Sequence, residues 1–149
     1  LRTIEDKVSK WASSLSDTLF LVTADHGHIE ADGVEISEYP EIMDTLLRLP
    51  SLEPRTPNFF IKEGRKEEFK ERFLNRFSND YVLLDRKEVI EKKLFGRENE
   101  HPLFKEMLGD YLGYSRTNKT LFFYGEKLKS MHGSMTEDEM IIPLIVFGR

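Results

Sequence analysis

The chain has 149 residues, of which 39% are hydrophobic and 33% charged, and its formal net charge is -5. This is the size of one domain with enough apolar residues for a core. Basic residues are dispersed among acidic ones, which argues against a nucleic-acid partner, and the absence of cysteine excludes disulfides and thiolate metal sites. No apolar run reaches the ~20 residues of a spanning helix, so no membrane partner is expected. A chain without cysteine is compatible with a cytoplasmic location, which is our expectation.

The N-terminal third predicts alternating helices and strands. Apolar residues recur at three- and four-residue spacings over residues 1–15, which predicts an amphipathic helix. A run of large apolar residues predicts a buried strand at 18–24, and alternation predicts an extended segment at 34–39. A second helix is expected over 41–49, because Pro40 is well placed to open it. A helix followed by a strand is the start of an α/β unit.

The middle of the chain differs in character. Three prolines within residues 50–57 favour extended backbone and predict a linker. Beyond it, the pattern predicts a strand (58–62), a helix (66–77), a second strand (81–84) and a second helix (86–94). We interpret residues 57–110 as a small inserted α+β cap subdomain.

The last part of the chain returns to strands. Strands are predicted at 111–115 and 120–124, joined as a pair, and a final buried strand is predicted at 140–147. Because Pro143 cannot donate to a ladder, we expect it at an edge, at a bulge or at the start of that strand.

These elements predict an α/β fold with a mainly parallel sheet flanked by helices. Its core would be formed by residues 1–56 and 111–149, with the cap subdomain inserted between them.

The stretch with the most chemical content is Thr23-Ala24-Asp25-His26-Gly27-His28, directly after the first strand. Without thiolates, a divalent cation is held by imidazole nitrogen and carboxylate oxygen. Adjacent Asp25 and His26 can both face one ion only on irregular backbone, which a loop with Gly27 supplies. A polar turn, in which Asp25 caps a helix and His26 is solvated, explains the same spacing.

A second candidate is His132, which lies next to a glycine and before a capping-box pattern, Thr136-x-x-Glu139. A single histidine of this kind is more often a loop residue than a ligand, but strand-end sites do assemble distant residues. Acidic residues 137–139 lack the alternating spacing of a calcium loop, and we interpret them as a capped, solvated turn. His101 precedes a proline and is interpreted as ordering a loop.

Together, Thr-Ala-Asp-His-Gly-His at 23–28 and His-Gly-Ser-Met-Thr-Glu-Asp-Glu-Met-Ile-Ile-Pro-Leu-Ile-Val at 132–146 resemble the alkaline phosphatase superfamily, particularly its type I phosphodiesterase/nucleotide pyrophosphatase branch. The resemblance implies an alkaline phosphatase-like fold and metal-dependent hydrolysis of a phosphoric ester. The substrate would be a small phosphate ester, nucleotides included, and most simply a diester or pyrophosphate.

Carried over residue by residue, the resemblance implies a site with two divalent ions. Asp25 and His26 would ligate the ion that also contacts the nucleophile, and His132 would ligate the other ion. His28 would support the site from behind the ligands. Ligand sets of Asp and His favour Zn or Mn, and two adjacent ions can assist an in-line displacement.

The sequence departs from the family upstream of Asp25. The family requires a Thr or Ser nucleophile, an early Asp and an Asp-x-x-x-His pair there, and residues 1–24 contain none of these in the right context. We therefore expect the chain to be the C-terminal part of a longer enzyme, inactive without the missing N-terminal part. The alternatives are a phosphomonoesterase, phosphomutase or sulfatase of the same superfamily, or a non-catalytic binding module that retains the fold.

Overall fold

The computed structural model describes residues 2–97 and 100–147 of the chain. The described helices are α1 (Arg2–Ser14), α2 (Pro40–Met43), α3 (Lys66–Phe77), α4 (Arg86–Glu91), α5 (Phe104–Met107) and α6 (Glu137–Met140), with a 3-10 turn at Ile36–Glu38. The described strands are β1 (Phe20–Thr23), β2 (Ile29–Glu30), β3 (Asp32–Glu35), β4 (Ser51–Glu53), β5 (Thr56–Phe59), β6 (Tyr81–Asp85), β7 (Tyr111–Ser115), β8 (Lys119–Phe122), β9 (Ser130–Met131) and β10 (Leu144–Phe147). In these ranges, no helix has the length and apolar character needed to cross a membrane.

The strands form one larger sheet and three two-stranded pairs. The larger sheet has the order β4-β5-β7-β6, and all of its pairs are antiparallel. The smaller pairs are β1 with β10, β2 with β9, and β3 with β8. Each of them joins an N-terminal segment to a C-terminal one, so the two ends of the chain are brought together.

The α/β fold class is confirmed, but the direction of the strands differs from the expectation. In the described part of the chain, only β3 and β8 pair in parallel. The predicted pairing of residues 111–115 with 120–124 is wrong, because β7 joins the larger sheet and β8 pairs with β3. The short distance in sequence between these two strands suggested a hairpin, but each of them pairs with strands that are distant in sequence.

The core lies around α3. Phe69, Phe73 and Phe77, which the sequence places on one stripe, are buried at 0%, 0% and 3% exposure. Their rings pack against Phe59 of β5 and Tyr81 of β6, with centroids 4.9–6.0 Å apart. Aromatic pairs at this spacing add to the free energy of apolar burial, so α3 is anchored to the larger sheet and its prediction as a core helix is confirmed.

The predicted linker at residues 50–57 is wrong, because these residues form a β-hairpin. Strands β4 and β5 pair antiparallel, with Leu52 opposite Pro57. Proline's fixed φ is compatible with extended backbone, and the pairing of β5 with β7 begins only at Asn58, after Pro57. The hairpin turn also carries Arg55, whose side chain is fully buried.

The sheet crosses the predicted domain boundaries. Strand Thr56–Phe59 is continuous across the boundary at 56/57. Strand Tyr111–Ser115, assigned to the core, lies between β5 and β6 in the sheet. The division into residues 1–56 with 111–149, and 57–110, stays a prediction.

Other elements are shorter than predicted. The helix expected over 41–49 ends at Met43, and Leu46 instead bridges to Ile61. The final strand begins at Leu144, directly after Pro143, which confirms the expectation that proline stands at its start.

The strand predicted at 18–24 is present as β1, but it is not buried within the described residues. Leu21 of β1 is 59% exposed, and Val146 and Leu144 of its partner β10 are 55% and 65% exposed. Each strand of this ribbon has a single neighbour. Its apolar side chains therefore lack the covering layer that buries a central strand.

Candidate metal centre

The pairing of β2 with β9 brings the two predicted site segments together. Ile29 lies opposite Met131 in this antiparallel pair. The residue before Ile29 is His28 and the residue after Met131 is His132, so the same register places the two histidines side by side. The contact joins residues more than a hundred positions apart in sequence, which is why neither motif predicts it.

The backbone of the first loop is held against α6. The Gly27 amide donates to the Glu139 carbonyl at 2.8 Å. A Cβ added at Gly27 would lie 1.8 Å from the Asp138 carbonyl oxygen, so the close approach requires glycine. This contact determines where His26 sits relative to the C-terminal segment.

Three histidines converge at this point. His26, His28 and His132 each offer a nitrogen, and the three nitrogens lie within 4.8 Å of one another. The rings of His26 and His132 stack with centroids 3.6 Å apart and an interplanar angle of 10°. The ring of His28 is tilted by 40° to the first and 49° to the second. The cluster is half-exposed, as a site open to a solvent-borne ligand must be.

The stacking limits how these rings can bind a cation. The lone pair of an imidazole nitrogen lies in the ring plane, so a well-bound ion lies in the plane of each of its ligands. The nearly parallel planes of His26 and His132 do not meet near the site. In this arrangement the two rings therefore cannot both bind one ion in their planes.

Hydrogen bonds fix the orientation of two of the rings. His26 Nδ1 donates to the Gly27 carbonyl at 2.9 Å, and His28 Nδ1 shares a hydrogen bond of 2.8 Å with Ser130 Oγ. In His26, Nε2 is then left as the available ligand atom, and in His28 it is available in the tautomer whose Nδ1 donates to Ser130. Partners of this kind orient metal-binding histidines and set their tautomer.

Asp25 completes the first segment of the site. Its Oδ2 lies 3.5 Å from His26 Nε2, close to the ~3.4 Å that separates two ligands of a tetrahedral ion with bonds of about 2.1 Å. A hydrogen bond from its own amide, followed by the nearby charge of His26, lowers the pKa of Asp25 below its usual value. The carboxylate is therefore ionised at neutral pH and exposed, and both features suit a ligand.

The four residues predicted at the site are thus close together, although their assignment as ligands stays a prediction. A supporting role was predicted for His28, but its nitrogen lies within 4.8 Å of those of His26 and His132, which is close enough to share a ligand. His101 lies apart from the cluster, and its Nδ1 accepts a hydrogen bond from the Leu103 amide at 3.2 Å. That contact agrees with the interpretation of His101 as a loop-ordering residue.

Sequence reasoning missed one pair, Arg55 and Glu139. The turn at 137–139 was expected to be solvated, but Glu139 is 2% exposed and forms an ion pair with buried Arg55. Burial raises the pKa of Glu139, but hydrogen bonds from Arg55, Thr136 and the Ser134 amide outweigh this and lower it to about 2. The available signals were an arginine flanked by prolines and a glutamate in a capping-box pattern.

Comparison with known proteins identifies the fold. The sequence matches no protein-family model and no curated protein. Among solved structures, murine ectonucleotide pyrophosphatase/phosphodiesterase 5 matches with a TM-score of 0.69 and 13% identity, over 96% of this chain and 37% of its own. The human protein of the same name matches with a TM-score of 0.69 and 14% identity, over 95% of this chain and 37% of its own.

A bacterial structure shares the same fold. Phosphonoacetate hydrolase from Sinorhizobium meliloti 1021 matches with a TM-score of 0.60 and 20% identity, over 89% of this chain and 36% of its own. Both kinds of protein have the alkaline phosphatase-like fold, which confirms that prediction. The chain spans little more than a third of the length of these neighbours.

Proposed function

We propose that this chain, with its alkaline phosphatase-like fold, is part of a metal-dependent phosphoric ester hydrolase of the phosphodiesterase/nucleotide pyrophosphatase class. The observation that carries the proposal is the convergence of His26, His28 and His132, from opposite ends of the chain, beside the ionised carboxylate of Asp25. Carboxylate and imidazole form a complete donor set for a divalent ion in a chain without cysteine.

The residues divide into two ligand groups. Asp25 and His26 belong to one ion and His132 to the other, since the stacked rings cannot share an ion in both planes. His28, oriented by Ser130, stands between the two groups. Zn or Mn suits this donor set. When bound, two such ions activate an oxygen nucleophile and neutralise charge on the leaving oxygen.

The proposed substrate is a small phosphate ester. This proposal is supported by the fold, since the murine neighbour has been solved in complex with AMP, which is a phosphate ester. The nucleophile is proposed to lie upstream of Asp25, in a part of the enzyme that this chain does not contain.

Metal removal tests this function in the polypeptide in which the chain naturally occurs, here called the natural-length polypeptide. We expect it to bind two divalent ions and to hydrolyse bis(p-nitrophenyl) phosphate faster than p-nitrophenyl phosphate or p-nitrophenyl sulfate. Chelation should abolish hydrolysis, and Zn or Mn should restore it. A metal-free polypeptide, or full hydrolysis after chelation, would contradict the proposal, and a preference for the monoester or sulfate would reassign the substrate class.

We further propose that the ribbon of β1 and β10 is covered by other strands and helices of the same enzyme. Leu21 and Val146 are cross-strand partners, so their side chains share one face, and Leu144 lies two residues further along it. All three are exposed. Strands that are apolar on both faces are typical of sheets covered on both sides, and a ribbon of two strands is marginal without such cover.

The proposed cover is the part of the fold that the chain does not span, since it accounts for only 37% of the murine neighbour's length. The apolar stripe of α1 also needs a covering layer, since Ile4 and Trp11 are 59% and 56% exposed. The other occupant to be tested is a second copy of this chain.

Thiol labelling can test the cover, because these 149 residues contain no cysteine and any cysteine elsewhere in the natural-length polypeptide can first be replaced by serine. In the natural-length polypeptide, Leu21→Cys is expected to react at least about tenfold more slowly with a water-soluble maleimide than Leu47→Cys. Leu47 is 67% exposed and lies outside the ribbon, so it is the matched control. Equal rates would refute the cover, and protection that disappears on dilution to monomer would assign the face to a second copy.

A further inference from the structure

A buried ion pair links the larger sheet to the metal centre. Arg55, in the β4–β5 turn, is 0% exposed, and its Nε and Nη2 donate to the two carboxylate oxygens of Glu139 at 2.7 and 2.8 Å. Its remaining donors reach the carbonyls of Lys119 at 3.1 Å and Thr117 at 2.8 Å. The guanidinium is therefore held in one orientation by two separate segments of the chain, one with Glu139 and one with residues 117–119.

Glu139 also forms hydrogen bonds with the loop that follows His132. Its Oε1 accepts from the Ser134 amide at 3.0 Å, and its Oε2 accepts from Thr136 Oγ1 at 2.6 Å. Its carbonyl accepts from the Gly27 amide on the opposite side. One residue thus contacts both segments that carry the histidines, through its side chain on one and its main chain on the other.

The larger sheet holds the same loop by a second set of contacts. Thr56 Oγ1 donates to the Gly133 carbonyl, and Ser134 Oγ donates to the Ser115 carbonyl. Gly133 has a φ of +108°, and a Cβ there would lie 2.8 Å from Glu53 Cβ. The two residues that follow His132 are therefore pressed against β4, β5 and β7.

We propose that Arg55 and Glu139 are positioning residues for the metal centre, which set the place of His132 relative to Asp25 and His26. The inference rests on the proposed function. In this proposal the four-stranded sheet holds His132 in place, in addition to any role as a cap.

A purely structural role explains these contacts less well. A buried ion pair is weak as a source of stability, because well-packed apolar residues of the same volume often serve equally well. A bidentate pair does supply a fixed geometry. The Glu139 carboxylate accepts four hydrogen bonds and its pKa is depressed, so it is kept ionised in that geometry.

Metal titration of the natural-length polypeptide tests the inference. Glu139→Gln keeps the shape of the side chain but removes its charge and one acceptor. We expect the affinity for one of two Zn ions to fall by about 10–100-fold, as for other groups that orient metal ligands. The affinity for the other ion should change little, since the main-chain contact to Gly27 is retained. Competition with a chelator, and the visible spectrum of the Co-loaded polypeptide, would report each ion separately.

The matched control is Glu68→Gln. Glu68 also receives two hydrogen bonds from one arginine, Arg65, at 2.6 and 2.9 Å, but it lies on the surface of α3 away from the histidines. Both affinities should be unchanged in this variant. If Glu139→Gln prevents folding, Thr136→Val removes one hydrogen bond only and is expected to weaken the same ion by about two- to fivefold.

The outcomes separate the inference from the proposed function. Two affinities that stay at the wild-type level in folded Glu139→Gln, even with reduced thermal stability, would refute the positioning role and leave the metal centre intact. A wild-type polypeptide that binds no metal would refute the proposed function itself.

Discussion

Arg55→Met is expected to lower the free energy of unfolding by about 3–5 kcal/mol, the usual cost of removing one partner of a buried ion pair. Glu139, which is 2% exposed, would keep its charge without the arginine that compensates it. The carbonyls of Lys119 and Thr117 would each lose one of two side-chain donors. Urea denaturation of the natural-length polypeptide, followed at two wavelengths, measures this change.

Two further variants show whether the loss of unfolding free energy comes from the unpaired carboxylate of Glu139. Arg55→Met combined with Glu139→Met should recover most of the stability, because no buried charge remains. Arg65→Met removes a bidentate arginine at the surface, where solvent screens the charges, and should cost only a small fraction of the Arg55 effect. A loss in Arg55→Met no greater than that in Arg65→Met would contradict this prediction.

His132→Ala is expected to reduce phosphodiester hydrolysis about a thousandfold, since the loss of an ion removes several kcal/mol of transition-state stabilisation. Asp25→Ala should have an effect of the same order. His28→Ala, which removes a group that orients or shares an ion, should cost about 10–100-fold. The natural-length polypeptide is assayed with saturating Zn or Mn.

Metal content provides the sharper measurement for these variants. If His26 and His132 serve different ions, His132→Ala and Asp25→Ala should each retain one bound ion. Loss of all metal in either variant would show a single shared ion and contradict the argument from the stacked rings. His101→Ala is the control of the same type, and both its metal content and its rate should match the wild type.

The structure changes the interpretation of the middle of the chain. Residues 57–110 were predicted to form a cap. Strand β6 and most of β5 lie in that range, and they pair with β4 and β7 in the sheet against which the His132 loop rests. The proline-rich segment is a hairpin that carries Arg55 inward. The segment predicted as a linker therefore contributes the arginine of the buried Arg55–Glu139 ion pair.

Several elements could be predicted because their signals are local. Helix α3 was predicted with its observed bounds, since phenylalanines recur once per turn on one face. Strand β6 follows from a short apolar run, and β10 begins after Pro143 as the missing donor of proline requires. The candidate ligands Asp25, His26 and His132 could be selected because few residue types bind divalent ions without thiolates.

Residue type identified the side chains that can bind metal, and short-range periodicity located strongly patterned elements such as α3 and β6. It did not reveal that His28 lies opposite His132, that β3 pairs in parallel with β8, or that Glu139 is buried against Arg55, which depend on tertiary packing. The reason is physical: each of these contacts joins residues more than 80 positions apart in sequence. The periodicity of apolar residues along the sequence does not predict such pairings, because they arise from the packing of the whole chain.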